Sequence, residues 1–220
     1  MPALSRIKTL LTDFLFPKTR QILELESLSI ETLIKTLPAA ERSEDKNTVA
    51  IFDYDHPVMK EMIWTLKYGG NRCMAEKFGE ILYDTINQEL ADLVLFEKWT
   101  RPVILIPVPM SDKRLFERGW NQSELLTKEI ARRDDGKMFK HLPGQIVKLH
   151  HTESQTKTTS RNERLKNITN SMKVLNPSLI EDQCIVIVDD VTTTGATFAE
   201  VRRVLKDAGA KKILCVAVAH

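Results

Sequence analysis

Two adjacent carboxylates, Asp189 and Asp190, stand before Val191 and the run Thr192-Thr193-Thr194-Gly195-Ala196-Thr197. That run suits an anion. Thr192, Thr193, Thr194 and Thr197 supply hydroxyl donors, and Gly195 lets the backbone come close to a ligand. N–H groups where a helix begins have no intrahelical partner, and the helix dipole there favours negative charge. The two carboxylates repel phosphate and need another partner, either vicinal sugar hydroxyls or a hydrated divalent metal. Phosphate in the turn and carboxylates one step upstream together describe a ribose 5-phosphate site.

The flanking residues supply the elements that would hold this pair. Cys184-Ile185-Val186-Ile187-Val188 is a continuous apolar, mostly β-branched run, and Phe198-Ala199-Glu200-Val201-Arg202-Arg203-Val204-Leu205 has helical periodicity. A run of this kind followed by a helix reads as a buried parallel strand feeding a βα turn. Open α/β sheets bind ligands just beyond the carboxyl ends of their strands. A second buried strand, 101–109, leads into Met110-Ser111-Asp112-Lys113-Arg114-Leu115-Phe116-Glu117-Arg118, read as a loop. Taken alone, Lys113, Arg114 and Arg118 make a solvated basic turn. Beside a ribose-phosphate motif they suit a pyrophosphate, because point charges and a guanidinium fork both match phosphate oxygens.

The remaining pattern alternates strands and helices. Helices are expected at 3–16, stopped by Pro17, and at 20–36, ended by Pro38; residues 39–47 read as an exposed connection. A short strand at 48–54 precedes helices at about 57–70 and 72–97. Another helix is expected at 121–133, strands at 145–149 and 171–175, and a last strand at 213–219 after a Gly209 helix cap. The expected fold is α/β, a doubly wound and mostly parallel sheet flanked by helices. Residues 1–47 are expected to form an N-terminal helical cap or hood, and 48–220 the core.

Residues 150–160 are polar and without periodicity, and Ser160 with Glu163 suits a capping box opening a short helix. Such a loop in a compact domain commonly acts as a lid. The pair His150-His151 invites a metal reading, but adjacent strand residues point to opposite faces.

Composition narrows the class. The chain has 220 residues, 28% charged, with a net charge of +2, so no strong field points to nucleic acid or membrane. No apolar run approaches the roughly 20 residues that span a bilayer. No signal peptide is expected, because Asp13 interrupts the first apolar stretch. The expectation is a soluble cytoplasmic protein. Cys73, Cys184 and Cys215 are far apart, with no paired spacing for structural zinc.

The segment from the apolar strand through Asp189, Asp190 and Thr192–Thr197 resembles the signature of type I phosphoribosyltransferases, which bind phosphoribosyl pyrophosphate (PRPP). Other pieces are similar to one branch, the competence protein F family. They are Leu66-Lys67-Tyr68-Gly69-Gly70; Ile106-Pro107-Val108-Pro109 with Arg118-Gly119-Trp120-Asn121-Gln122; and Ser154-Gln155-Thr156 with Arg161–Arg164 and Asn167. Phe14-Leu15-Phe16-Pro17 resembles that family's opening segment, which is commonly followed by two Cys pairs forming a zinc module; here no cysteine appears before Cys73. The departure implies no zinc and a cap held by apolar packing.

The resemblance implies transfer of a phosphoribosyl group from PRPP to a nitrogen acceptor, a nucleobase or amine, with release of pyrophosphate and with Mg²⁺ accompanying PRPP. It implies that Asp189 and Asp190 hold the ribose hydroxyls, and Mg²⁺ if they meet it, and that Thr192, Thr193, Thr194, Gly195, Ala196 and Thr197 hold the 5-phosphate. Pyrophosphate is expected on Pro109, Met110, Ser111, Lys113 and Arg114, with Lys67; Lys157 and Arg161 of the lid would add charge to the leaving group. Asp190 or the acceptor itself could serve as base. A homodimer is expected by the same analogy. The alternative function is a non-catalytic PRPP- or nucleotide-binding accessory or regulator, in DNA uptake. Direct nucleic-acid binding through Arg202, Arg203 and Lys206 is disfavoured, since these suit the solvated face of a helix.

Overall fold

Five parallel strands carry the site, in the order β1-β7-β6-β2-β3. They are β1 Thr48–Phe52, β2 Val103–Pro107, β3 Phe139–His141, β6 Cys184–Val191 and β7 Lys212–Ala219. The structure is a computed structural model that describes residues 20–69, 71–97, 99, 101–149 and 170–220. The expected helix at 3–16, the lid with its capping box, and His150-His151 lie outside the described residues.

Two compact units divide the chain, 1–36 and 37–220. In the first, the single helix expected over 20–36 is two, α1 Arg20–Ser27 and α2 Ile30–Thr36. Ser29 makes the break, its Oγ accepting from Thr32 N at 3.1 Å as an N-cap does.

Packing places the boundary eleven residues before the expected 47/48, and hydrogen bonds give the reason. Ala40 N donates to Ile51 O, and Asp53 N to Pro38 O. Arg202 pairs with Asp45 and Asn47 O, and reaches Thr48 Oγ1 at 2.8 Å. Deleting 1–47 is therefore expected to give a protein that melts several degrees below one lacking only 1–36. Equal melting temperatures would show that 37–47 contributes nothing to the core.

In the second unit, α3 Pro57–Gly69, α4 Arg72–Glu97, α6 Gln122–Asp134 and α7 Ala196–Asp207 flank the sheet. The central strands are apolar on both faces, as a sheet covered on both sides requires: Ile104, Leu105, Ile106 and residues 184–188 are all buried. A separate antiparallel pair, β4 Ile146–Lys148 and β5 Met172–Val174, packs on this core through buried Ile146 and Met172.

Elements of this unit also differ from expectation in type or extent, and the strands β1, β2, β4 and β5 are each shorter than expected. The basic stretch after β2 is a helix, α5 Asp112–Arg118, rather than a loop. Ser111 caps its start, and Gly119 ends it in the left-handed region at φ 81°, with its N–H on Leu115 O at 2.7 Å. The edge strand β3 is three residues long and contains Lys140, too short and polar to announce itself. β7 begins one residue earlier than expected, at Lys212.

Candidate functional site

The ends of β2 and β6 lie side by side, with Pro107 opposite Val188 and Val108 N donating to Val188 O at 2.9 Å. This register sets Val108-Pro109-Met110 beside Asp189 and Asp190, at the carboxyl edge where a parallel sheet presents ligands. A cleft of about 190 Å³ opens there, lined by Lys67, Val108, Pro109, Met110, Arg114, Arg118, Asn121, Gln122, Ser123, Lys148, Asp189, Asp190, Val191 and Thr197.

Three donors hold the acid pair. Ser123 Oγ donates to Asp189 Oδ1 at 2.8 Å, and Asp190 N donates to the same oxygen at 2.9 Å. Val191 N donates to Asp190 Oδ1 at 2.9 Å. The other Asp190 oxygen, Oδ2, lies 3.1 Å from Lys67 Nζ, yet it is buried and makes no aligned hydrogen bond. The contact is an ion pair off the hydrogen-bonding direction, leaving lone pairs of Asp190 for a ligand. Burial first, and then the Asp190 charge, push the Asp189 carboxyl up to about 7 against the opposing Ser123 hydroxyl. Asp189 thus changes charge near neutral pH. Ser123→Ala removes the hydrogen bond that favours the ionised form and is expected to raise this titration further. Carboxyl-carbon NMR of Asp189 reads it; an unmoved midpoint would show that Ser123 does not hold the acid.

The segment after α5 acts as a brace. Asn121 Nδ2 donates to Val108 O at 3.0 Å while its Oδ1 caps α6 through Ser123 N. Trp120 Nε1 donates to Leu66 O at 3.2 Å, next to Lys67, and Arg118 lies 5.0 Å above the Tyr68 ring. Residues 118–123 thereby join the β2 end, the α3 end and the acid pair.

The turn that follows is ready for a phosphate in part. Gly195 stands at φ 71° as the N-cap of α7 with no side chain over the helix end, and Thr194 Oγ1 accepts from Ala196 N at 3.4 Å. Thr197 lines the cleft and Thr193 is exposed, whereas Thr192 is buried with its N–H on Ala219 O at 2.9 Å.

Of the residues expected to meet pyrophosphate, Lys67, Pro109, Met110 and Arg114 line the cleft. Ser111 is the cap of α5 and Lys113 an exposed residue of that helix; neither lines it. Lys157 and Arg161 lie outside the described residues. Sequence reasoning missed Ser123 and Lys148, which no local motif marks, and gave no site role to Gln122 of the 118–122 motif. Two carboxylates with oxygen donors fit Mg²⁺, an ion held by one or two carboxylates plus substrate phosphates. Asp189 and Asp190 would hold it, Asp190 by displacing Lys67.

A larger cavity of about 310 Å³ lies far from this chemistry, lined by Asp45, Asn47, Arg202, Lys206, Lys211, Lys212 and Ile213. It sits at the amino end of β7 and the carboxyl end of α7, where the helix dipole opposes an anion. Arg202 there is already held by Asp45, Asn47 and Thr48.

Comparison with known proteins bears on this geometry. Residues 136–220 match the phosphoribosyl transferase domain. Competence protein F of Haemophilus influenzae is 30% identical over 113 residues, 51% of this chain and 48% of that protein. The DNA utilization protein YhgH of Escherichia coli K12 is 27% identical over 171 residues, 75% and 68% of the two chains. Competence protein ComFC of Bacillus subtilis is 27% identical over 160 residues, 73% and 58%. The match spans about half the length of the Haemophilus relative. Among solved structures, the glutamine PRPP amidotransferase of B. subtilis covers 65% of this chain and 25% of its own at 15% identity. Its TM-score of 0.40 is too low to bear on the site.

Proposed function

We propose that the β6–α7 cleft binds PRPP with Mg²⁺ and transfers its phosphoribosyl group to a nitrogen acceptor, a reading supported by the chain's similarity to competence protein F and ComFC and by the phosphoribosyl transferase domain matched over residues 136–220. The observation carrying this reading is the pairing of Asp189 and Asp190 with the Gly195 turn at the carboxyl end of a central strand, facing Lys67 and Arg114 across one cleft.

In this reading the C1–O bond to pyrophosphate breaks as a C1–N bond forms, through an oxocarbenium-like state that needs no covalent nucleophile. Ionised Asp189 and Asp190 accept hydrogen bonds from the ribose hydroxyls and fix the ring. The 193–197 turn anchors the 5-phosphate through its N–H groups and the Thr197 hydroxyl. Asp189 and Asp190 would hold Mg²⁺, which would supply positive charge to the departing pyrophosphate. Arg114 faces the same oxygens, and Lys157 and Arg161 are proposed to join it. The nitrogen proton passes to Asp190 or stays with an acceptor basic enough to keep it.

A second reading, a non-catalytic PRPP- or nucleotide-binding accessory in DNA utilization, is favoured by cleft size. About 190 Å³ among the described residues is below the roughly 300 Å³ at which ligand pockets usually begin. It leaves little room for an acceptor beside PRPP. A pyrophosphate-release assay with Mg-PRPP against a panel of nucleobases and amines separates the two. Release with one acceptor establishes the transferase; PRPP binding with no release from any acceptor supports the accessory role.

A further inference from the structure

We infer that Lys148, at the end of β4, is a cation that grips the pyrophosphate end of the ligand. The inference rests on the reading of the cleft as a PRPP site and adds a residue to it that no motif in the chain marks.

Strand geometry aims the side chain. β4 pairs with β5 in the register Ile146↔Val174, Val147↔Lys173 and Lys148↔Met172, and Leu149 N donates to Ser171 O at 2.7 Å just beyond. Alternate residues of a strand share a face, so Lys148 points the way Ile146 does. Ile146 is buried in the core against Met172 and its neighbours. Two residues further on, the same inward direction leaves the core and enters the cleft, where Lys148 joins Arg114, Asp189 and Asp190 in the lining.

Two of the cleft's other cations are engaged. Lys67 lies on Asp190 at 3.1 Å, and Arg118 stacks over Tyr68. Among the described residues, Lys148 and Arg114 form no ion pair. Burial, and next the Arg114 charge, hold the Lys148 ammonium below the usual lysine range, with Asp189 pulling the other way. Two like charges in a partly dehydrated cleft repel until a polyanion lies between them, so an anion gains more from this pair than from exposed lysines. Ribose hydroxyls and the 5-phosphate are met by the acid pair and the 193–197 turn. The pyrophosphate is the ligand group left for Lys148 and Arg114.

The test compares wild type, Lys148→Met and Lys148→Arg by calorimetry with three probes: Mg-PRPP, Mg-pyrophosphate and ribose 5-phosphate. Loss of one charge-assisted contact is expected to weaken both pyrophosphate-bearing probes about tenfold or more in Lys148→Met. Ribose 5-phosphate affinity stays within about twofold, and Lys148→Arg keeps most of the affinity. Unchanged Mg-pyrophosphate and Mg-PRPP affinity in Lys148→Met, or an equal loss for ribose 5-phosphate, overturns the inference. A wild type that binds Mg-pyrophosphate through Lys148 but not PRPP sinks the PRPP reading alone. A wild type that binds neither sinks both. If Lys148→Met melts well below wild type, acetylation of wild-type Lys148 followed by mass spectrometry decides. Protection by Mg-pyrophosphate but not by ribose 5-phosphate is expected, and no protection overturns the inference.

Discussion

Replacing Asp189 and Asp190 together by Asn is expected to weaken Mg-PRPP binding by roughly a hundredfold or more while leaving the fold intact. In the proposed site each carboxylate would accept a charge-assisted hydrogen bond from a ribose hydroxyl, worth about 1.5–3 kcal/mol, and two such losses together exceed two decades in affinity. The fold survives because the amide oxygens can still accept from Ser123 Oγ, Asp190 N and Val191 N, the bonds that fix the strand end. What the double variant loses in stability is the Lys67–Asp190 ion pair, half-sheltered with side-chain exposures of 23% and 11%. Calorimetry with Mg-PRPP and a circular-dichroism melt read the two effects separately. Wild-type affinity in a folded double variant would remove the acid pair from the ribose site.

The single variant Asp189→Asn is expected to melt above wild type at pH 8, by several degrees. The sign follows from the direction of the shift. Asp189 titrates near 7 in the fold and near 3.8 when unfolded, so between those values the folded state holds a proton that the unfolded state has released. Stability therefore falls as pH rises from about 4 to about 7, and the full cost of burying the charge is present above 7. Asn carries no such cost. The gain over wild type should shrink as the pH is lowered towards 5, and a gain that is independent of pH would contradict the burial argument. A residue whose removal stabilises the fold is kept for what it binds, which agrees with its place in the cleft.

How much of this was legible depended on whether the signal was local. Strand β6, its two acids, the Gly195 turn and α7 follow one another without a gap, so apolar run, carboxylates and helix periodicity could be read in one pass. The parallel direction of the central strands followed from alternating strands and helices, though their order did not. The α5 helix was hidden by its charges, because Lys113, Arg114 and Arg118 read as a solvated turn. Its true markers were the Ser111 cap and the Gly119 stop. The split at Ser29 was hidden the same way, by a single capping hydroxyl inside an otherwise helical pattern. Ser123 lies 66 residues from the Asp189 it holds, and nothing in the intervening sequence links the two. Lys148 needed two facts that only folding supplies: that β4 ends over the cleft, and that Ile146 faces inward. The motif Arg118-Gly119-Trp120-Asn121-Gln122 was visible as a family marker, yet its structural task, bracing Leu66, Val108 and Ser123, arises only once the chain has folded.

The measurement that tests the central claim most directly is a calorimetric titration of the full chain with PRPP in the presence of Mg²⁺, repeated with the Asp189→Asn/Asp190→Asn variant. The cleft described above predicts saturable one-to-one binding by the wild type and none detectable in the variant at the same concentrations. Absence of binding by a folded wild type, or equal binding by both proteins, would contradict the assignment of the β6–α7 turn as a PRPP site.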